Sequence, residues 1–503
     1  RSARVSMSSV VSEEDWVFLS FVDPSLLRTH LDGHGVDSAG VVRLLEYRAI
    51  PAGTPVFLDE LTMRPVEPLC SWFRHLVYEE KDAKTLREYA YIVRRFVHFL
   101  RSRDRGLLEA TESDFRAYRV LRTQVQDKPV GDATWGKEAQ LLNQLYRWLV
   151  EHGYLRHLPL RMTHKGRNPL APRLRRGMDI RHMSLPQYRY FRDVGLGGQL
   201  PDSQVSTVFR GRAPLRSRAA ADLALCTGMR PEEWSTVLLP ELGVGRRRPG
   251  ESVQFPVQAC AKYGKYREIY VPTGALDAVD TFLLVERPEL VAASSKSLAR
   301  RRRELFVVDH IDHEAGTLRG VLDGRRRTFA MSAMGPGLRR ITVRENEDGV
   351  EPLAVFVGHG GRMLGPSSWY RIRCDAWARM RVHADAPGAP LLPRRRWRWH
   401  DTRHTFALQL LSYLEQQMDG DEPDAVARRR RHMSYLGGHI KHNPLLIVSR
   451  RLGHSSPATT YAYLEYSDDP MNAVDAAFSE WTVQEGDTYA DIARHVLVEG
   501  GER

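Results

Sequence analysis

Lysine is scarce in this chain, nine residues of 503, although lysine and arginine together number 74. Cysteine is scarcer still: Cys70, Cys226, Cys260 and Cys374 lie far apart and form no C-x-x-C pair. That spacing argues against a structural zinc site and against a disulfide framework, so reduced thiols with no redox role are expected. No stretch approaches the ~18–20 consecutive apolar residues that cross a bilayer, and Arg1-Ser2-Ala3-Arg4 lacks the apolar stretch of a signal peptide. A cytoplasmic, intracellular protein without a membrane partner is the expectation. The numbering starts without Met, which leaves the completeness of the N-terminus open.

What the chain has in abundance is arginine: 74 cations less nine lysines leaves 65. Set against 62 acidic residues, these give a formal charge of +12 and a pI near 9.6. Such an excess favours a polyanionic partner, because each cation that neutralises a phosphate releases counterions. An apolar fraction of 42% with 27% charged residues fits folded protein and excludes disordered and collagenous chains. The length implies two or more domains.

Residues 1–64 carry no motif and read as an N-terminal arm of unassigned role. Beyond them, Thr85-Leu86-Arg87-Glu88 reads as a capping box, followed by Leu86, Tyr89, Val93, Phe96, Val97 and Leu100 at helical spacing as far as Gly106. A second helix follows Thr111 with Phe115, Tyr118 and Leu121. A third carries Leu141, Leu142, Leu145, Trp148 and Leu149 before Gly153 stops it. These helices make a small domain over 65–170. Residues 171–208, rich in Arg, Pro and Gly, suit a solvated linker. Next comes a helix from Ser217 to Cys226 that ends at Gly228. Val253, Phe255 and Val257, a turn at Gly264, then Ile269 and Val271 predict a β-hairpin, with Pro256 pushing its first strand to a sheet edge. The stretch from about 288 to 350 reads as irregular. Helical pattern returns over Trp369–Met380 and after His400, where Phe406, Leu410 and Leu414 share a face. Val474, Ala477, Phe478 and Trp481 suggest one more amphipathic helix, and 481–503 read as a tail.

Four boxes carry the chemistry. The first, Cys226-Thr227-Gly228-Met229-Arg230-Pro231-Glu232-Glu233, holds an arginine on a turn between helices. The second, Lys262-Tyr263-Gly264-Lys265-Tyr266-Arg267, places two of the nine lysines on the hairpin tip. The third is His400-Asp401-Thr402-Arg403-His404-Thr405-Phe406-Ala407, and the fourth is Leu452-Gly453-His454-Ser455-Ser456-Pro457-Ala458-Thr459-Thr460-Tyr461-Ala462-Tyr463. Each has a plainer reading. Arg230 could cap carbonyls or pair with Glu233, the lysine turn could be solvated, and His400 and His404 have the four-residue spacing of zinc ligands in H-E-x-x-H, although Asp401 stands where that motif has Glu.

In this order the boxes resemble the tyrosine recombinase (phage integrase) family, whose motifs run T-G-x-R-x-x-E, a hairpin lysine, H-x-x-R-H-x-F-A and L-G-H-x-x-x-x-T-T-x-x-Y. The resemblance spans roughly residues 65–480. It implies a mainly α fold with a small β-hairpin or sheet: a helical core-binding (SAM-like) DNA-binding domain, and a mixed α/β catalytic domain over 209–480. Relative to compact members, insertions are expected at about 288–350 and 415–445.

The function implied is site-specific DNA recombination, cleaving and rejoining strands through a 3′-phosphotyrosyl intermediate without metal, ATP or cofactor, for integration or excision of a mobile element. Arg230 and Arg403 would clamp the non-bridging oxygens of the scissile phosphate, a task suited to guanidiniums that stay charged at neutral pH. His400 would act as base or hydrogen-bonding group, Lys262 as general acid to the leaving 5′-oxygen, and His454 as a phosphate ligand. The nucleophile is one of Tyr461, Tyr463 and Tyr466; family spacing, nine residues after the histidine of L-G-H, selects Tyr463. Arg394, Arg395, Arg396, Arg398 and Lys265 are expected to contact the DNA backbone. The partners implied are double-stranded recombination sites, a homotetramer assembled on them, and an accessory DNA-bending or directionality factor. A type IB topoisomerase-like or telomere-resolving strand transferase, or a non-catalytic DNA-binding regulator on the same fold, are the alternatives.

Overall fold

Apolar residues at helical spacing need one buried face, and the first third of the chain supplies four such helices around one aromatic core. In the computed structural model, residues 17–23, 26, 34–35, 37–48, 50–160, 168–172, 180–204, 206–347, 349–418, 444–454, 457–461 and 463 are described. The chain divides into two units, 1–176 and 177–503.

The first unit opens with an antiparallel hairpin of β1 (Val17–Phe21) and β2 (Pro55–Asp59), with α1 (Ser38–Tyr47) between them. Four helices follow: α2 (Glu67–Tyr78), α3 (Ala83–Arg101), α4 (Glu112–Val120) and α5 (Asp132–Glu151). Phe96, Phe115, Tyr118 and Tyr146 meet at ring separations of 5.0–6.2 Å, and the Tyr146 hydroxyl donates to the Leu107 carbonyl at 2.6 Å. The N-cap of α3 is Asp82, whose carboxylate accepts from the Thr85 amide at 2.8 Å; the box expected at Thr85 lies one turn inside the helix. Part of the expected N-terminal arm packs on these helices. Val17 and Phe57 are buried in the same core as the helices, because the hairpin has one apolar face to cover.

The second unit begins earlier than the expected linker allows. Met183, Leu185, Tyr188 and Phe191 are buried in its main core, from α6 (Leu185–Tyr190) and the turn after it. Tyr188 donates to Asp222 at 2.5 Å, and the Met183 amide donates to Thr405 Oγ1 at 2.9 Å. The Arg-rich composition of this segment concealed its buried apolar positions.

Then come α7 (Pro214–Thr227), α8 (Pro231–Trp234), the antiparallel hairpin β3 (Val253–Val257) and β4 (Arg267–Val271), and α9 (Thr273–Val285). After α10 (Arg287–Ala292) and α11 (Ser295–Arg300), the stretch expected to be irregular forms a five-stranded sheet. Its strands are β5 (Phe306–Asp312), β6 (Thr317–Leu322), β7 (Arg325–Ala330), β8 (Thr342–Asn346) and β9 (Gly349–Pro352), in the order β7-β6-β5-β8-β9. Only β5 and β8 pair in parallel.

Two buried ion pairs tie this sheet to the unit. Arg339 binds Glu241 in fork geometry at 2.6 and 2.7 Å, and Arg287 reaches Glu351 at 2.6 Å. Breaking such a pair by removing one partner costs about 3–5 kcal/mol, so the sheet is a fixed part of the unit. The chain ends its described course with α12 (Pro336–Arg340), which precedes β8 in sequence, then α13 (Pro366–Val382), α14 (Asp401–Met418), α15 (Pro444–Leu452) and α16 (Pro457–Tyr461). The insertion expected at 415–445 falls largely, and the helix near 474–481 and the tail entirely, outside the described residues. Among the described residues no helix is long and apolar enough to cross a membrane.

Candidate active site

Three of the four boxes hang on buried tryptophans or glycines. Trp234, directly after Glu233, packs on Trp399, directly before His400, with ring centroids 4.9 Å apart, and both contact Trp369. Each aromatic pair adds about 0.5–1.5 kcal/mol beyond burial. The segment Arg394-Arg395-Arg396-Trp397-Arg398-Trp399 alternates: both tryptophans are buried and the four arginines are exposed.

Gly228 ends α7 in the left-handed region at φ +60°, and a Cβ there would lie 2.3 Å from the Phe406 ring. It must be glycine on both counts. The turn delivers Arg230 to the N-cap of α8. There its amide donates to Glu233 Oε2 at 2.6 Å and its guanidinium lies 3.3 Å from Oε1. Arg267 at the start of β4 also pairs with Glu233, at 3.0 Å from Nη1. Burial alone would raise the Glu233 carboxyl; Arg267, its hydrogen bonds and Arg230 outweigh that and hold it below its ordinary range.

Arg403, 2% exposed on α14, donates from Nη1 to the Gly228 carbonyl at 2.7 Å and from Nη2 to the Leu452 carbonyl. One side chain thus joins boxes one, three and four. Burial and the charge of Arg230 lower its pKa to about 9, which leaves it cationic at neutral pH.

Both expected histidines feel the same field. His400 is open at one edge, yet the protein atoms around it, then the charges of Arg403 and Arg230, lower its pKa to about 4. His454 goes down to about 3 for the same reasons in the same order, and its Nδ1 is 2.8 Å from Thr460 Oγ1. Gly453, at φ +63°, lets Arg267 pass; a Cβ would meet its Cδ at 2.9 Å.

Tyr463 is 1% exposed, and its hydroxyl lies 2.9 Å from Nδ1 of His404 while its ring stacks beside His454 at 6.3 Å. Burial pushes its pKa up to about 12, against the opposing charges of Arg403 and Arg230. Arg230, Arg403, His400, His454 and Tyr463 therefore sit within electrostatic reach of one another, as the boxes imply. Tyr461 is half-buried against the same core, and Tyr466 lies outside the described residues.

On the hairpin tip the two lysines have different partners. Lys265 Nζ donates to the His454 carbonyl at 2.8 Å, whereas Lys262 Nζ lies over the Tyr263 ring at 4.8 Å and adds to the field on His400. Of the arginines before His400, Arg396 reaches Cys374 Sγ at 3.1 Å and lies over the Tyr370 ring.

Three further residues belong to this site: Glu233, Arg267 and His404. All stand inside the four boxes, and their chemistry was the available signal: a carboxylate beside an arginine orients its guanidinium. Among the described residues no group of three or more His, Cys, Asp or Glu side chains is arranged to hold a metal ion, and Nδ1 of His404 is taken by Tyr463.

Comparison with known proteins gives a family match within the first unit. No curated protein sequence matches the chain. Among solved structures, the XerH site-specific recombinase bound to palindromic difH substrate in a post-cleavage complex is 13% identical over 79% of this chain and 80% of that one, with a TM-score of 0.42. The Tn1549 transposon integrase in complex with circular intermediate DNA is 12% identical over 73% and 85%, at 0.36. The XerA recombinase is 14% identical over 84% and 99%, at 0.26. Residues 69–153 match the family model of the phage integrase N-terminal SAM-like domain. Over these residues, which helices α2 to α5 supply, the chain is similar to an integrase-type SAM-like domain, in keeping with the resemblance to the tyrosine recombinase (phage integrase) family; the four boxes lie outside the matched residues.

Proposed function

We propose that the chain is a site-specific DNA strand-exchange enzyme, the integrase of a mobile element, that acts through Tyr463. The observation that carries this reading is the meeting of two guanidiniums, two uncharged histidines and one tyrosine around the Gly228 turn. A phosphodiester entering between Arg230 and Arg403 would gain charge-assisted hydrogen bonds, worth about 1.5–3 kcal/mol each, which strengthen as charge builds on the non-bridging oxygens. The Tyr463 oxygen attacks phosphorus, the bond to the 5′-oxygen breaks, and a 3′-phosphotyrosyl linkage forms. The phenolic proton passes to a histidine. His400 has that role in the family resemblance; His404 is the ring already hydrogen-bonded to the hydroxyl. Lys262 supplies the proton that the leaving 5′-oxygen takes up. A 5′-hydroxyl from another strand then reverses the step, with no net loss of phosphodiester energy.

Two features of the site fit a role on DNA. The low pKa values of His400 and His454 reflect burial first and then the positive charges of Arg403 and Arg230, and a bound phosphodiester would offset those charges. Tyr463 is covered, so engagement of DNA must open a path to its hydroxyl. Exposed Arg394, Arg395 and Arg398 suit the duplex backbone, and binding should weaken steeply with salt. Assembly as a tetramer on two double-stranded sites, with an accessory DNA-bending or directionality factor, completes the reading.

The test is a nicked suicide duplex carrying the recombination site. A covalent protein–DNA band on a denaturing gel supports strand transfer. Retained DNA binding with no covalent band would favour a non-catalytic regulator, and relaxation of plasmids lacking the site would favour a topoisomerase.

A further inference from the structure

The second unit contains a cavity of about 1100 Å³ walled by residues of 194–199 and 206–217, by Gly358, His359 and 362–365, and by one face of α13 along its length. Its volume is at the upper end for small-molecule sites. It opens at the N-terminus of α7, whereas Arg230 follows the C-terminus of that helix. Twelve helical residues separate Arg216 from Gly228, roughly 18 Å at ~1.5 Å per residue. The cavity shares no residue with the candidate active site.

Its charge is lopsided. Arg216, 6% exposed, lines it, and Asp375 is the one carboxylate among the described lining residues. Arg216 Nη1 donates to the Val357 carbonyl at 3.1 Å, its Nε is shielded from solvent with no acceptor, and no carboxylate pairs with it among the described residues. Glu286 is the nearest acid felt by this guanidinium, but its two oxygens accept the Leu215 and Arg216 amides at 2.9 and 3.0 Å. Burial lowers the Arg216 pKa only to about 10, so the cation persists at neutral pH. Arg371 and Arg379 add to the same wall.

The N-terminus of α13, a helix of 17 residues, opens into the same cavity through Gly365, Ser367 and Ser368, and no side chain caps it. The positive end of a helix dipole favours an anion. Pro366 has no N–H and the Ser368 and Trp369 amides bond the Gly365 carbonyl, which leaves the Ser367 amide as the first-turn donor. Arg216 lies 6.0 Å from the ring of Trp369, in the first turn of that helix, so cation and helix end face one region. The preceding loop lines the cavity through Gly358 and His359.

We propose that this cavity is a second ligand site, separate from the strand-cleavage site, that binds a small phosphate-bearing anion such as a nucleotide or pyrophosphate. The guanidinium of Arg216 and the Ser367 amide at the start of α13 take the phosphate; Arg371 and Arg379 take further charge. The inference does not rest on the recombinase reading.

The experiment is calorimetric titration of the full chain with ATP and with pyrophosphate at fixed ionic strength. Saturable binding is expected, weakened tenfold or more in both Ser367→Asp and Arg216→Met. Ser367→Asp is the safer variant, because a carboxylate in the first helical turn stabilises the helix while repelling an anion. A double substitution of exposed arginines elsewhere, Arg246→Ala with Arg248→Ala, should leave the affinity within twofold. No binding at millimolar ligand, or binding unchanged in Ser367→Asp and Arg216→Met, overturns the proposal. So does stoichiometric displacement of ATP by random duplex DNA, which would assign the site to the DNA backbone.

Discussion

Glu233 bears a buried charge in the candidate site, and its replacement tests how Arg230 and Arg267 are held. Its side chain is fully shielded and receives Arg267, itself 6% exposed at the side chain, together with the amide and guanidinium of Arg230. Glu233→Gln leaves Arg267 buried without a counter-charge, a change that costs about 3–5 kcal/mol, or two to three and a half decades in the folding equilibrium. Arg267→Met should cost less, because Glu233 keeps the Arg230 amide at 2.6 Å and its guanidinium at 3.3 Å. The double variant should recover much of the loss, since both charges leave together. Urea unfolding of the full chain followed by tryptophan fluorescence reads this directly, as Trp234 adjoins Glu233 and stacks in a cluster with Trp369 and Trp399. A loss below about 1 kcal/mol in Glu233→Gln, or a double variant as unstable as the sum of the singles, would refute the reasoning.

Other expectations follow from the same geometry. His404→Phe removes the group 2.9 Å from the Tyr463 hydroxyl and should slow single-turnover cleavage about 10- to 100-fold with DNA affinity unchanged, within the range of general acid–base effects. Gly228→Ala, at φ +60° and 2.3 Å from the Phe406 ring, should destabilise the chain by at least ~1–3 kcal/mol and abolish cleavage, checked by thermal unfolding and by the suicide duplex. Because His400 and His454 are depressed to about 4 and 3, the unfolded chain binds more protons than the folded one below its ordinary histidine value of ~6.5. Their contribution to stability should be complete above that pH and should fall as pH drops from ~6.5 towards 4, seen as a declining urea midpoint that His400→Asn flattens. Lys262→Ala should slow cleavage and be rescued by a 5′-bridging sulfur in the scissile bond, which needs no proton to leave. Lys265→Ala should slow it without rescue, since that lysine holds the His454 carbonyl at 2.8 Å.

Sequence alone revealed those parts of the fold where local pattern and tertiary packing agree. The hairpin over Val253–Val257 and Arg267–Val271 and the helices of the SAM-like domain follow from alternation and helical spacing. Strand β7 was hidden because Arg325, Arg326 and Arg327 open it on an exposed sheet edge, where charge is tolerated and alternation is not required. Segment 180–200 was hidden for the converse reason: buried Met183, Leu185, Tyr188 and Phe191 are interleaved with arginines that reach solvent or pair with acids. In the site, the boxes identify Arg230, Arg403, His400, His454 and Tyr463 as neighbours. Spacing could not tell that Glu233 and Arg267 form the buried pair beneath Arg230, or that His404 holds Tyr463, because those contacts bridge boxes far apart in sequence.

The most direct test of the central claim is to digest the covalent complex trapped on the suicide duplex and locate, by mass spectrometry, the residue that carries the 3′-phosphate. The expected result is a phosphonucleotide on Tyr463 alone, lost in Tyr463→Phe. A phosphonucleotide on Tyr461 or Tyr466, or an adduct that persists in Tyr463→Phe, would contradict it.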